Sequence, residues 1–206
     1  MRLFYSAGSP FARIVRIALL ETGLDEKTTK QEISRARLYS PESDVLTINP
    51  VGRVPTLVLD DETILTEASL ILRFIDAMSP SRKLLPCDGS DQWRVLSEMG
   101  QAWGLLEGVA SWVRALRLPN ADSASSVISR ESLRVNRIAD ALETAVSAAG
   151  FGGPINAAHI VLGSALGIAH GRLRAWTWRV NRPRLSAWYD RIAERPSFRT
   201  TEPPPL

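Results

Sequence analysis

The chain has 206 residues, 45% of them apolar and 23% charged, and its 25 basic and 22 acidic side chains leave a formal charge of +3. That is an ordinary globular composition, long enough for one large domain or two small ones, and with no block of like charge it argues against nucleic acid as a partner. A single cysteine, Cys87, excludes an intrachain disulfide or cysteine-based zinc site, and His159 and His170 lie about 16 Å apart along a helical pattern, too far to share a metal. The N-terminal residues have no signal-like pattern and no apolar run approaches about 18 residues, so a cytoplasmic protein without membrane contact is expected.

In chain order, Leu3-Phe4-Tyr5 is a short apolar run long enough for a buried strand. Ser6-Ala7-Gly8 makes a polar turn. Ser9-Pro10 then reads as a helix start, with Ser at the N-cap and Pro at the first helical position, where its missing N–H costs nothing. Phe11, Ile14, Val15, Ala18 and Leu19 repeat with helical spacing up to the stop at Gly23. A helix N-terminus bearing a hydroxyl and unpaired N–H groups is a place to hold an anion, although most N-cap serines only satisfy the backbone.

Thr28, Thr29 and Ile33 give a weak strand signal, and Arg35, Arg37 and Tyr39 are expected in the connection after it. Pro41–Asp44 turns into a short helical piece ending at Asn49-Pro50. Gly52 marks a turn before Val54-Pro55 and the strand run Thr56–Leu59, a proline being tolerated just before a strand. Asp60-Asp61 is a hairpin turn into Thr63-Ile64-Leu65. A helix follows from Thr66-Glu67-Ala68-Ser69, with Leu70, Ile71, Phe74, Ile75 and Met78 expected on its buried side. Residues 1–78 thus read β-α-β-α-β-β-α, a small mixed sheet with helices packed on it.

Residues 79–90 hold two prolines and a glycine and read as a linker, in which the isolated Cys87 has nothing to lower its pKa. Residues 91–206 are expected to be all helical. Asp91–Leu118 carries one apolar stripe at Leu96, Met99, Trp103, Leu106, Ala110 and Val113, and a second at Leu105, Val109, Trp112 and Leu116. Two stripes imply two covered faces, one for the chain's own core and one for a partner subunit or a ligand. Ser123–Ala149 is a second helix. Ala157–His170, apolar nearly all round, is the expected centre of this part. Leu185, Trp188, Tyr189 and Ile192 face inward on a last helix that Pro196 stops, and Thr200–Leu206 reads as an irregular tail.

Four segments, SPFARIVRIALLETGL, NPVGRVPTL, LTEASLILRFID and RPRLSAWYDRIAERPSF, stand in the order and spacing of bacterial cytosolic glutathione transferases, which the sequence resembles over nearly its whole length. The resemblance implies a thioredoxin-like glutathione-binding domain followed by an all-helical domain, glutathione as co-substrate, no metal, and a homodimer. It implies a cis Val54-Pro55 bond, although X–Pro bonds in general are cis only about 5% of the time. Val54 would pair through its backbone with the cysteinyl unit of glutathione. Glu67 would meet the γ-glutamyl ammonium, and the N–H groups of Ala68 and Ser69 its carboxylate. Phe11 joins this set beside Ser9, and Arg53, or Arg35 or Arg37, would meet the glycyl carboxylate.

A free thiol with a pKa of about 8.5 is mostly protonated at neutral pH, so the family's chemistry needs a donor aimed at the sulfur. Three hydroxyls are candidates: Ser9, which ranks first, then Tyr5 and Ser6. Arg13, one turn along, adds positive potential or is simply solvated. Serine can donate a hydrogen bond but cannot form a mixed disulfide, so thiol–disulfide exchange by this residue is excluded. The electrophile pocket is expected between the Ser6–Phe11 loop and Met99, Trp103 and Glu107 of the long helix, with core packing an equally good account of Trp103. Two departures stand out. Ala68 occupies a position where many members have Ser, removing a hydrogen bond worth about 1.5–3 kcal/mol. His159 stands where members usually have Asp in a helix cap, and a histidine is expected not to return the carboxylate's reciprocal bond. Two alternatives to a transferase remain: an isomerase of the maleylacetoacetate type, and a non-catalytic binding protein, which Ala68 favours.

Overall fold

The computed structural model describes residues 1–80, 83–86, 89–118, 121–147 and 150–204. The chain divides into two compact units. The first comprises Met1–Leu85 together with Thr200–Pro204, and the second Pro86–Arg199. Cys87 lies outside the described residues.

In the first unit, β1 (Arg2–Tyr5), α1 (Pro10–Thr22), β2 (Thr29–Glu32), α2 (Arg35–Leu38), α3 (Asp44–Ile48), β3 (Thr56–Val58), β4 (Ile64–Thr66) and α4 (Ala68–Met78) follow in order. The sheet runs β2-β1-β3-β4, with β1 parallel to β2 and antiparallel to β3, and β3 antiparallel to β4. Side chains alternate across it. Phe4 and Val58 join Ile33, Val45 and Val54 in one apolar cluster. Leu3 and Leu57, register partners buried completely, lie on the opposite face. Helices α1 and α4 pack on one another, burying Ile14, Val15 and Ala18 from one and Ile71 and Ile75 from the other.

Several expectations are corrected here. Arg35 and Arg37 lie in a short helix rather than a plain connection, because Ser34 caps it by accepting from Arg37 N at 3.2 Å. On α4, Leu70 (55% exposed) and Met78 (54%) face outward. The buried face is shared instead with Ala68 and Asp76, whose carboxylate is no liability because it accepts the Leu84 and Leu85 N–H groups. The Lys83 ammonium donates to the carbonyls of Asp76, Ala77 and Ser79 at 2.8, 3.3 and 3.1 Å, closing the C-terminal end of α4.

The second unit is helical: α5 (Gly89–Ala115), α6 (Ala121–Ser147), α7 (Ala157–Arg172), α8 (Pro183–Ala193) and the start of α9 (Pro196–Thr200). Helix α7 is buried continuously from Ala157 to Ala169 and packs on α5 and α8, as its all-round apolarity requires. Gly163 is part of that fit: a Cβ there would lie 2.4 Å from Cε1 of Phe198, which is itself buried. Pro196 does not merely stop α8; it opens α9, the helical turn that delivers Phe198. Of the second stripe, Leu105, Val109 and Trp112 are buried in the chain itself, whereas Leu116, just past α5, is exposed. On the first stripe Leu96, Met99 and Trp103 are only half-buried.

Candidate functional site

The turn between β1 and α1 is closed by Ser9 N donating to Ser6 O at 2.9 Å. Ser9 takes the N-cap position with φ −87° and ψ 119°, and its Oγ accepts from Ala12 N at 3.2 Å, with Pro10 in the first helical position. A serine hydroxyl can accept and donate at once. The cap bond uses the acceptor side of Oγ and leaves the O–H proton to donate, at a helix end that carries partial positive charge.

The other two hydroxyl candidates sit differently. Ser6 lies in the turn and contributes its carbonyl to it. The Tyr5 phenol donates to Glu32 on β2 at 3.4 Å, and the Arg16 guanidinium lies 4.7 Å from its ring centroid. Arg13 is not solvated: it is 3% exposed, and its Nε donates to Thr201 Oγ1 at 3.4 Å.

A second part of the site is the loop into β3. The Val54-Pro55 bond is cis, and Val54 is buried at the strand entrance. Gly52 has φ +64°, a conformation that favours glycine, and the loop approaches Leu46 so closely that a Cβ would meet its Cδ2 at 2.7 Å. Arg53 is exposed beside it. Asn49, 1% exposed, holds this loop from beneath. Its amide donates to Thr56 Oγ1 at 2.9 Å and Thr66 Oγ1 at 3.1 Å, and its carbonyl oxygen accepts from Val51 N at 3.0 Å. In the sequence Asn49 marks only a helix end; the signal for its second role is an amide followed by two threonines that become cross-strand partners.

The third part is the start of α4. Glu67 is not glycine yet has φ +70° and ψ 121°, a conformation L residues rarely hold and one that marks functional turns. Its carbonyl accepts from Leu70 N and Ile71 N, both at 3.1 Å. The N–H groups of Ala68 and Ser69, in the first turn, have no carbonyl of the helix to bond. Ala68 is buried, Ser69 half-buried, and the Glu67 side chain is exposed and makes no cap bond. Of the other arginines, Arg37 is paired with Asp44 at 2.9 Å and Glu42 at 3.9 Å, and Arg35 lies over the Tyr39 ring at 5.6 Å.

In the second unit, Met99 and Trp103 are half-buried on α5. Glu107 is exposed and pairs with Arg134 of α6 at 3.4 Å. Among the described residues no three His, Cys, Asp or Glu side chains group as a metal site, and no helix is long and apolar enough to cross a membrane.

The expectation for His159 is overturned. His159 N donates to Asn156 Oδ1 at 3.2 Å, and His159 Nδ1 accepts from Asn156 N at 3.0 Å, a complete capping box. A neutral imidazole has one nitrogen free to accept, which the carboxylate comparison overlooked. Burial holds the imidazole pKa below its ordinary value; a hydrogen bond with the Phe151 backbone and the Glu98 charge oppose this, and Arg195 and Arg94 reinforce it. The ring stacks on Trp188 with centroids 5.9 Å apart and meets Phe151 edge-on at 6.2 Å.

Residues 8–78 match the family model described as glutathione S-transferase, N-terminal domain, and residues 127–191 the one described as glutathione S-transferase, C-terminal domain. The uncharacterized GST-like protein YibF of Escherichia coli K12 is 30% identical over 99% of both chains. The maleylacetoacetate isomerase of Pseudomonas aeruginosa is 31% identical over 50% of this chain and 47% of its own. A glutathione transferase family member from Pseudomonas fluorescens Pf-5, solved with bound S-(propanoic acid)-glutathione, superposes with a TM-score of 0.86 at 30% identity, covering 99% of this chain and 100% of that one.

Proposed function

The chain belongs to the glutathione S-transferase family, and we propose that it binds glutathione in its first unit and activates the thiol for attack on a small electrophile. Ser9 donates a hydrogen bond from its hydroxyl to the thiolate sulfur, assisted by the positive end of α1, so that thiolate rather than thiol predominates. With the thiol proton released to solvent, the thiolate forms the new carbon–sulfur bond as the leaving group departs with its bonding pair or, on an activated alkene, as the π pair moves onto the electron-withdrawing group and is then protonated by solvent. Val54 pairs with the cysteinyl unit; Glu67, Ala68 and Ser69 take the γ-glutamyl end; Phe11 borders the site; Arg53, exposed at the loop, meets the glycyl carboxylate. Met99, Trp103 and Glu107 of α5 contact the electrophile. The observation that carries this reading is the Ser9 cap, whose oxygen accepts from Ala12 N and whose proton is left to donate. By contrast, the Tyr5 phenol is engaged with Glu32. The S-substituted glutathione held by the Pseudomonas fluorescens relative is the product class such a reaction forms.

A glutathione-dependent isomerase is the second reading, favoured by the similarity to the Pseudomonas aeruginosa maleylacetoacetate isomerase over half of this chain. We further propose a cytoplasmic location and a homodimer; the buried Leu105, Val109 and Trp112 of the second stripe no longer argue for the dimer, and the exposed apolar side chains Leu70, Met78 and Trp93 are what a second copy could cover. The deciding experiment is turnover of an activated haloarene with glutathione by wild type, Ser9→Ala and Tyr5→Phe. Loss of one transition-state donor lowers the rate roughly 10²–10³-fold, and that loss is expected for Ser9→Ala alone. An active Ser9→Ala beside a dead Tyr5→Phe would overturn the assignment; retention on immobilised glutathione without turnover of any electrophile would mark a binding protein instead.

A further inference from the structure

We infer that Asn49 is a positioning residue that sets the spacing between the two backbone segments that grip glutathione, an inference that rests on the function proposed above. The side chain is buried at 1% exposure and touches no position assigned to the ligand, yet each of its polar groups is bonded to an element that carries one. One amide proton goes to Thr56 Oγ1 at 2.9 Å, directly after Pro55; the other goes to Thr66 Oγ1 at 3.1 Å, directly before Glu67. Thr56 and Thr66 are register partners across β3–β4, so one amide spans the strand pair at the point where both site segments leave it. The link continues outward: Thr56 Oγ1 donates to Arg53 O at 2.7 Å, and Asn49 Oδ1 and O accept from Val51 N at 3.0 Å and Gly52 N at 2.9 Å. A single side chain thereby fixes the loop that presents Val54 and the turn that presents Glu67, Ala68 and Ser69.

The geometry has a chemical reason. Only a neutral primary amide offers two protons in one plane together with an acceptor. A carboxylate of the same shape keeps the bond from Val51 N but donates to neither threonine. The held turn is also strained at Glu67, φ +70°, and strained backbone persists only where its surroundings over-determine it.

The test is calorimetric titration of glutathione into wild type, Asn49→Ala, Thr66→Val, Thr66→Ser and the Asn49→Ala/Thr66→Val double variant, at a temperature where circular dichroism shows each folded. Losing one hydrogen bond to a charged end of glutathione costs roughly ten- to hundredfold in affinity, and a rise of Kd in that range is expected for Asn49→Ala, with a smaller rise for Thr66→Val. Thr66→Ser, which keeps the acceptor, should bind as wild type does. The double variant should bind no more weakly than Asn49→Ala, because both remove one linkage. In steady state the KM for glutathione should rise while the KM for the electrophile stays unchanged, a split that simple loss of stability would not produce. Folded Asn49→Ala binding within about twofold of wild type, or single effects that add, overturns the inference. If Asn49→Ala does not fold, Thr66→Val and Thr66→Ser decide it alone, equal binding by the two being the contrary result. Wild-type protein that does not bind glutathione defeats the functional reading and this inference with it; wild type that binds while the variants match it defeats this inference only.

Discussion

Acidification should weaken the second unit through His159 in particular. In the folded protein the imidazole is buried and its Nδ1 accepts from Asn156 N at 3.0 Å, so the neutral form is favoured and the pKa lies below the ordinary value of about 6.5. Unfolded chain exposes the ring at that ordinary value. Between the folded pKa and about 6.5 the unfolded state therefore binds more protons, and stability rises with pH across that window and is lost as pH falls through it. The slope for one proton is at most about 1.4 kcal/mol per pH unit, and below the folded pKa no further loss comes from this group. The assay is urea unfolding followed by tryptophan fluorescence from pH 7.5 to 5, for wild type and for His159→Gln. Glutamine also serves at the third position of a capping box but does not titrate. Losing the stack on Trp188 lowers the variant's stability equally at every pH, and other titrating groups are common to both proteins. Wild type should therefore lose stability on acidification faster than the variant. Parallel curves would refute the reasoning.

Ala68→Ser should tighten glutathione binding by at most roughly ten- to hundredfold, the worth of one hydrogen bond to a charged group, while slightly lowering the stability of ligand-free protein, since Ala68 is 3% exposed; titration calorimetry and thermal melts check both. Gly163→Ala should destabilise the second unit by about 1–3 kcal/mol, because Phe198 stands 2.4 Å from the added carbon; a melting temperature equal to wild type would contradict the packing. Light scattering at micromolar concentration should show a dimer, and a single-chain mass would sink that proposal.

What the sequence made legible was local. The Ser9-Pro10 start, the Gly23 stop and the β-α-β-α-β-β-α order follow from residues within a few positions of one another, and the structure has them except that a second short helix, α2, stands between β2 and α3. Features that depend on distant chain were not legible. Arg13 reads as a surface residue until Thr201, 188 positions away, is laid on it. Asn49 reads as a helix end until Thr56 and Thr66 are brought side by side. Leu70 and Met78 satisfy helical spacing for burial, but spacing cannot say that Asp76 takes a buried place by accepting two N–H groups from the following segment. His159 is a different case: the cap pattern is local and visible, and it closes because a neutral imidazole has the acceptor capacity that a carboxylate would otherwise supply.

The union of Arg13 with Thr201 also has a temporal side. The first unit is discontinuous, taking Met1–Leu85 and then Thr200–Pro204. A ribosome adding about 5–20 residues per second needs roughly ten to forty seconds to travel the 188 positions between these two side chains. Through that interval the nascent first unit carries a guanidinium whose Nε has yet to meet its hydroxyl acceptor, while the whole helical unit is being made. A fragment cut after Leu85 would be left in that state permanently, and so would be a poorer stand-in for the unit than its helices and strands suggest.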